Sequence, residues 1–284
     1  MLLSVLLFAT MDLVIKWVSA DYPIVQIVFF RNAFAFLPIA LALRRNGGVA
    51  SLRTRALGAH VLRGALGIAS MYLGFWGLAL LPLGDAVALG QSAPIFVTAL
   101  SVPLLGERVG VRRWSAVTAG FLGVVLMTRP GSGLFDPAAL LPLAGAAAYG
   151  LVVILVRRLN RTEAPTTIVF YFTLFAVVVS GSALPFVWVG PDLVDFLLLA
   201  GIGILGGCAQ LAVTYAFRLA PVAVVAPFDY LSLVFAMVFG YAVWREVPDL
   251  WLLSGAAIVV ASGLYILRRE TRLGRRRPVP ALRP

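Results

Sequence analysis

Five ionisable side chains stand inside long apolar stretches of this 284-residue chain: Asp12, Lys16, Arg31, Asp85 and Asp229. A charge near the centre of a membrane-spanning helix costs about 2.5–3.5 kcal/mol on insertion scales, so each needs a partner or a task. Asp12 and Lys16 are four residues apart, share a helix face and can pair. Asp12 can also pair with Arg31 and fix the first helix against the second. Lys16, the only lysine, can instead snorkel to the interface. Asp85 follows Pro82 and Gly84 and reads as a helix-entry carboxylate held by the helix dipole. Asp229 stands beside Tyr230, two residues after Pro227, where a missing backbone donor loosens the helix. A mid-membrane carboxylate at such a place can meet a substrate ammonium or carry a proton, which makes Asp229 the first site candidate.

Aromatic and amide side chains extend the list. Tyr72 and Trp76 are four apart in one apolar run, Gln91 precedes Pro94 by three, and Gln210 and Tyr215 share a later run. With Tyr230, these groups join a flat or apolar body to a hydrogen-bonding tip and suit a pocket for an amphipathic solute. Packing and interfacial belts compete for the same residue types. Metal and nucleophile chemistry find no support. Cys208 is a single cysteine and His60 a single histidine, with no HExxH, no nucleotide-binding loop and no paired-Asp motif. We expect no cofactor, no enzyme and no ATP drive within the chain.

The elements that must position these residues follow from composition. The chain is 61% hydrophobic and 12% charged, with mean hydropathy +0.99. Ordinary soluble domains carry roughly 45–50% apolar and about 25% charged residues. Cutting at charge clusters, Pro and Gly leaves ten apolar segments, near 2–19, 24–43, 60–80, 82–104, 113–128, 137–156, 165–187, 196–217, 221–243 and 250–267. Each approaches the roughly 20 residues that cross a bilayer. None alternates apolar with polar as barrel strands do. The net charge of +11 is not a nucleic-acid signal, because the arginines fall between apolar runs and in the tail. With the N-terminus in the cytoplasm, eighteen arginines lie on that side and only Arg129 and Arg245 on the other. The positive-inside rule then places both termini in the cytoplasm of an inner membrane, with anionic lipid as a partner. Val18-Ser19-Ala20 resembles a signal-peptidase site but lacks a basic leader region, and we expect no cleavage there.

The chain also repeats itself. Ile27-Val28-Phe29-Phe30 recurs as Ile168-Val169-Phe170-Tyr171, Phe34-Ala35 as Phe175-Ala176 and Lys16 as Arg157, all at an offset of 141. Pro82 and Glu107 recur as Pro221 and Glu246 at 139; Trp76 falls on Tyr215 and Gln91 on Tyr230 at the same offset. Gly123 recurs as Gly263 at 140. Five spans per half is an odd number, so the second half, 137–267, enters the membrane inverted relative to the first, 1–128, before a basic tail at 268–284. Inverted repeats let one central site face either side in turn, as carriers require. A channel would instead call for rings of like residues. Gly64, Gly67, Gly74 and Gly77, with Gly201, Gly203, Gly206 and Gly207, allow close helix approach.

Ala79-Leu80-Leu81-Pro82, Pro94, Leu105-Gly106-Glu107-Arg108 and the run Gly120 to Leu126 resemble the repeat of the drug/metabolite transporter superfamily, in its EamA-type permeases. Leu219-Ala220-Pro221 and Trp244-Arg245-Glu246 resemble a second copy, with Arg245 where the pattern has glycine. Within the superfamily the chain resembles bacterial amino-acid exporters, the aromatic group included. The resemblance implies an all-α basket of ten helices, with spans three, four, eight and nine around a central cavity and spans five and ten peripheral. It implies export of amino acids, or else of a cationic drug or another small metabolite. Such a carrier is compatible with a monomer or a homodimer.

Overall fold

The computed structural model describes residues 1–45, 48, 52–105, 111–128, 136–159, 162–219 and 226–274, and among these it is helical without a strand. In lipid a backbone must satisfy its own polar groups, and apolar runs of this length do so by coiling. The helices are α1 Leu2–Val18, α2 Ile24–Arg45, α3 Leu57–Leu80, α4 Leu83–Gly90, α5 Ala93–Leu105, α6 Val111–Thr128, α7 Leu140–Leu159, α8 Pro165–Ala183, α9 Leu193–Leu219, α10 Leu231–Trp244 and α11 Leu250–Gly274. Seven stretches are long and apolar enough to cross a membrane, and Trp114–Thr128 and Phe228–Trp244 are shorter apolar helices. The 17-residue α1 makes up the ten crossings.

Two crossings are not continuous helices, which the apolar runs did not disclose. The fourth is divided into α4, about 12 Å long, and α5, about 20 Å. Pro94 lacks an N–H and disfavours helical geometry just before it. Ser92 Oγ donates to the Leu89 carbonyl at 2.6 Å and draws on the same backbone. The Ser92 N–H reaches Leu89 O at 3.1 Å, a tightened turn. In the ninth crossing a 3-10 turn, Ala226–Tyr230, contains Pro227 and precedes α10. Gln91 and Tyr230 close these two irregular turns at repeat-related positions.

The repeat recurs in the packing. A Cβ on Gly203 of α9 would lie 2.5 Å from Phe34 Cβ of α2, and one on Gly64 of α3 would lie 2.7 Å from Phe175 Cγ of α8. One turn on, Gly206 lies under Arg31 and Gly67 under Phe172. Gly207 meets Pro38 within α2, whereas Gly74 and Gly201 have open space beside them. Two hydrogen bonds repeat as well. Tyr22 Oη donates to Asp195 Oδ2 at 2.7 Å, and at the opposite end of the bundle Thr54 Oγ1 donates to Glu163 Oε1 at 2.7 Å. Tyr22 and Glu163, like Thr54 and Asp195, are 141 residues apart.

Arg245 ends α10 with φ 60°, a left-handed conformation that favours glycine. Its N–H bonds Tyr241 O at 3.0 Å, and the Glu246 N–H bonds Gly240 O at 3.2 Å. This corner turns Glu246 back toward α4, and it gives a physical reason for the glycine that the family pattern carries here. The first-copy corner, Gly106 to Arg108, lies outside the described residues, as do Arg129, Pro221 and the tail from 275.

Candidate functional site

The two broken crossings meet at their breaks. Gln91 Nε2 donates to Ser232 Oγ at 2.6 Å and to the Asp229 carbonyl at 3.2 Å. Ser232 Oγ in turn donates to the Asp229 carbonyl at 2.6 Å. A single amide thus ties the fourth crossing to the irregular turn of the ninth. Broken helices place backbone dipoles and carbonyls inside a bundle, where a solute or ion can reach them.

Charged groups gather beside this junction. Asp12 of α1 is the carboxylate whose field acts on Arg31 of α2, without a direct ion pair between them. Arg31 is 6% exposed; its Nη1 donates to Asn32 Oδ1 at 2.9 Å, and Asn32 Nδ2 donates to Val28 O at 2.8 Å. On the other side stands Arg63 of α3, its guanidinium 3.8 Å from the Phe172 ring centroid. Tyr149 of α7 lies within electrostatic reach of both Arg63 and Asp229. Sequence reasoning missed Arg63 and Tyr149. The signal for Arg63 was an arginine three residues inside a span edge, too close to a basic loop to stand out.

Tyr149 is 52% exposed, yet Pro142, Gly145, Ala146 and Gly150 on the same side of α7 are buried. Gly145 packs on the Ser70 carbonyl of α3, and Gly150 on Phe96 and Val97 of α5. The Tyr149 ring thus stands in a gap between α3 and α5, where Arg63 and Asp229 act on it electrostatically.

The remaining candidates lie elsewhere. Lys16 does not pair with Asp12: its Nζ meets Glu246 Oε1 at 3.0 Å and bonds the Leu81 carbonyl. Lys16 stands at the end of α1, where a helix-terminal carbonyl and the carboxylate turned in by the Arg245 corner both come within reach. Glu246 Oε2 also accepts the Leu83 N–H at 2.7 Å, capping α4. Asp85 lines a cleft of about 230 Å³ at this same end, with Glu246 and Asp249. Tyr72 and Trp76 pair along α3 with centroids 5.7 Å apart, on an exposed stripe shared with Leu62 and Leu80. Gln210 is half-buried on α9 and Tyr215 exposed on the same helix. Tyr230 directs its hydroxyl at Gly263 of α11, where a Cβ would clash with it.

Ten crossings with two broken helices tied at their breaks, and charged groups gathered inside the bundle, are the architecture of a small-molecule membrane transporter. The sequence pattern described as the EamA-like transporter family matches residues 1–129 and again 136–268, and the chain belongs to that family. Its relatives include riboflavin transporters of Vibrio cholerae, 34% identical over 97% of this chain and 94% of the relative, and of Rhizobium johnstonii, 32% identical over 97% and 92%. The pseudopaline exporter CntI of Pseudomonas aeruginosa is 30% identical over 93% of each. A crystal structure at 21% identity matches with TM-score 0.66 over 95% of this chain and 96% of the other, which bears on the fold alone. The chain is a multi-pass membrane transporter and not an enzyme.

Proposed function

We propose that this transporter carries a flat, amphipathic metabolite across the bacterial inner membrane by exposing the Tyr149–Arg63–Asp229 space to each side in turn. The observation that carries the reading is the Gln91 tie between the two broken helices beside that space. Two discontinuous helices joined by one amide can change their mutual angle without unpacking the glycine-seated crossings around them. Riboflavin is the first candidate solute. The exposed Tyr149 phenol offers a surface for a flat ring system, and two relatives are named riboflavin transporters. A second reading, export of amino acids including aromatic and neutral ones, rests on opposite charges at Arg63 and Asp229, which suit the two ends of a zwitterion. Both termini face the cytoplasm in either reading, as the arginine distribution requires.

The test is counterflow in proteoliposomes preloaded with unlabelled riboflavin or amino acids, with labelled riboflavin, tryptophan, threonine or a cationic dye outside. Preload-dependent uptake of riboflavin or an amino acid is expected and ranks the two readings. Exchange of the dye alone moves the assignment to cationic drugs, and no exchange of any solute refutes the carrier reading. Asp229→Asn is expected to lower exchange about tenfold or more. Unaltered exchange in that variant removes Asp229 from the site.

A further inference from the structure

The repeat exposes an imbalance in the central charges. Arg31 on α2 has a carboxylate facing it, Asp12 on α1. The repeat partner of Asp12 at the 141 offset is Val153, and that of Arg31 is Phe172. On the second side, therefore, the acid is missing and an aromatic ring stands where the arginine would be. A guanidinium is present all the same, supplied from α3 by Arg63 and laid over the Phe172 ring.

Among the described residues no carboxylate pairs with Arg63. Its Nε and Nη1 are buried and lack hydrogen-bond partners among the described residues. The groups acting on it electrostatically are the Tyr149 phenol and the like charge of Arg31. Gly67 makes room for it, since a Cβ there would lie 2.8 Å from Arg63 Nη1. A buried cation inside a membrane bundle is expensive and is normally paired. Here the plane is set by Phe172 and space is provided by Gly67; each edge of the guanidinium carries one donor without a partner among the described residues, and Tyr149 is within electrostatic reach.

We infer that Arg63 binds the transported solute through a planar edge bearing two adjacent acceptor atoms, a carboxylate or a ring carbonyl beside an unprotonated ring nitrogen. The guanidinium fork matches such an edge, and stacking on Phe172 orients it. The inference rests on the proposed entry of a solute into the central space, and it assigns the residue that selects among solutes there. Riboflavin presents a ring carbonyl beside an unprotonated ring nitrogen, and tryptophan the carboxylate. Proflavine and tryptamine keep the flat ring systems and lack those edges.

The experiment measures half-saturation concentrations for these four probes by counterflow, in the wild-type protein and in R63Q, R63K and F172L. R63Q is expected to raise the value for riboflavin or tryptophan about tenfold or more, and to leave proflavine and tryptamine unchanged or improved. R63K, which keeps the charge and loses the fork, falls between. F172L costs about threefold on the same probe. A solute with a carbonyl–ring-nitrogen edge is identified if riboflavin responds, and a carboxylate-bearing one if tryptophan does. If R63Q does not fold, as read by its melting curve in detergent, R63K and F172L carry the comparison. Wild-type exchange with no change in the variants overturns the assignment of Arg63 and leaves the carrier reading standing. Wild-type exchange of proflavine or tryptamine alone overturns the Arg63 assignment and moves the carrier to cationic solutes, and exchange of none of the four overturns both.

Discussion

At the crossing of α2 with α9, Gly203 and Gly206 lie against Phe34 and Arg31; at the repeat-related crossing of α8 with α3, Gly64 and Gly67 lie against Phe175 and Phe172. The backbone solution is shared, and the chemistry on it differs. At the first crossing Arg31 is buried, its Nη1 bonded to Asn32 and its charge faced by Asp12, with Nε left unbonded. At the second, both Nε and Nη1 of Arg63 lack hydrogen-bond partners among the described residues, and no carboxylate there is paired with it. Internal symmetry supplies a frame, and the departures from it are where the proposed site lies. On that proposal, one side of the pseudo-two-fold holds the bundle together and the other meets the solute.

Four perturbations probe that contrast, beginning with the largest expected effect. Gly203→Ala should destabilise the protein by about 1–3 kcal/mol and Gly64→Ala by less. The first Cβ would meet Phe34 Cβ together with the Phe30 and Arg31 carbonyls, while the second meets a side chain that can swing. Melting curves of the two variants in detergent decide it, and equal losses would show the crossings to be mechanically equivalent. Asp12→Asn should cost about 1–3 kcal/mol by leaving Arg31 without its charge partner. Adding Arg31→Met should recover much of that loss, since a buried charge and its partner can often be replaced together. If the double variant is no more stable than Asp12→Asn, Asp12 does not serve Arg31.

Arg245→Gly should raise stability by about 0.5–1 kcal/mol, because a left-handed residue at a helix end costs an arginine more than a glycine. A drop in melting temperature would mean that the Arg245 stacking on Tyr241 outweighs the backbone strain. The smallest effects belong to the two terminal ties. Tyr22→Phe and Thr54→Val should each lower the melting temperature only slightly, as one hydrogen bond is lost at either end. The ties should separate in pH. The bond to Asp195 pushes the Tyr22 phenol up to about 12, whereas a free phenol ionises near 10. The Tyr22 contribution is therefore whole below about pH 10 and fades as pH rises toward 12. A wild-type stability that shows no loss in that window relative to Tyr22→Phe contradicts the tie.

Much of the architecture was legible in the order of residues. Apolar runs near 20 residues announce helices in lipid, and their lengths matched the crossings because the bilayer sets the same limit on every one. Breaks were harder to read. Pro94 and Pro227 were visible, but a proline in a membrane helix can kink, cap or interrupt it, and the choice depends on what satisfies the freed backbone groups. Here Ser92, Gln91 and Ser232 supply part of the answer, two of them across helices far apart in sequence. The candidate site divided in the same way. Asp229 and Gln91 belong to the central junction, whereas Lys16 and Asp85 belong to an end, because helix spacing ranks neighbours on one helix and is silent about the next.

Residue order thus determined that the chain lives in lipid, that it folds as two related halves, and that a few charges inside it must be accounted for. Hydrophobic length, charge placement and internal repetition are local properties, and they survive without knowledge of packing. Tertiary structure decided which charges meet. Asp12 faces Arg31 and not Lys16, Glu246 caps α4 across the bundle, and Arg63 is left with donors to offer. Pairing energies depend on distance and on the loss of water between groups, and both are set only when helices from different parts of the chain come to rest against one another.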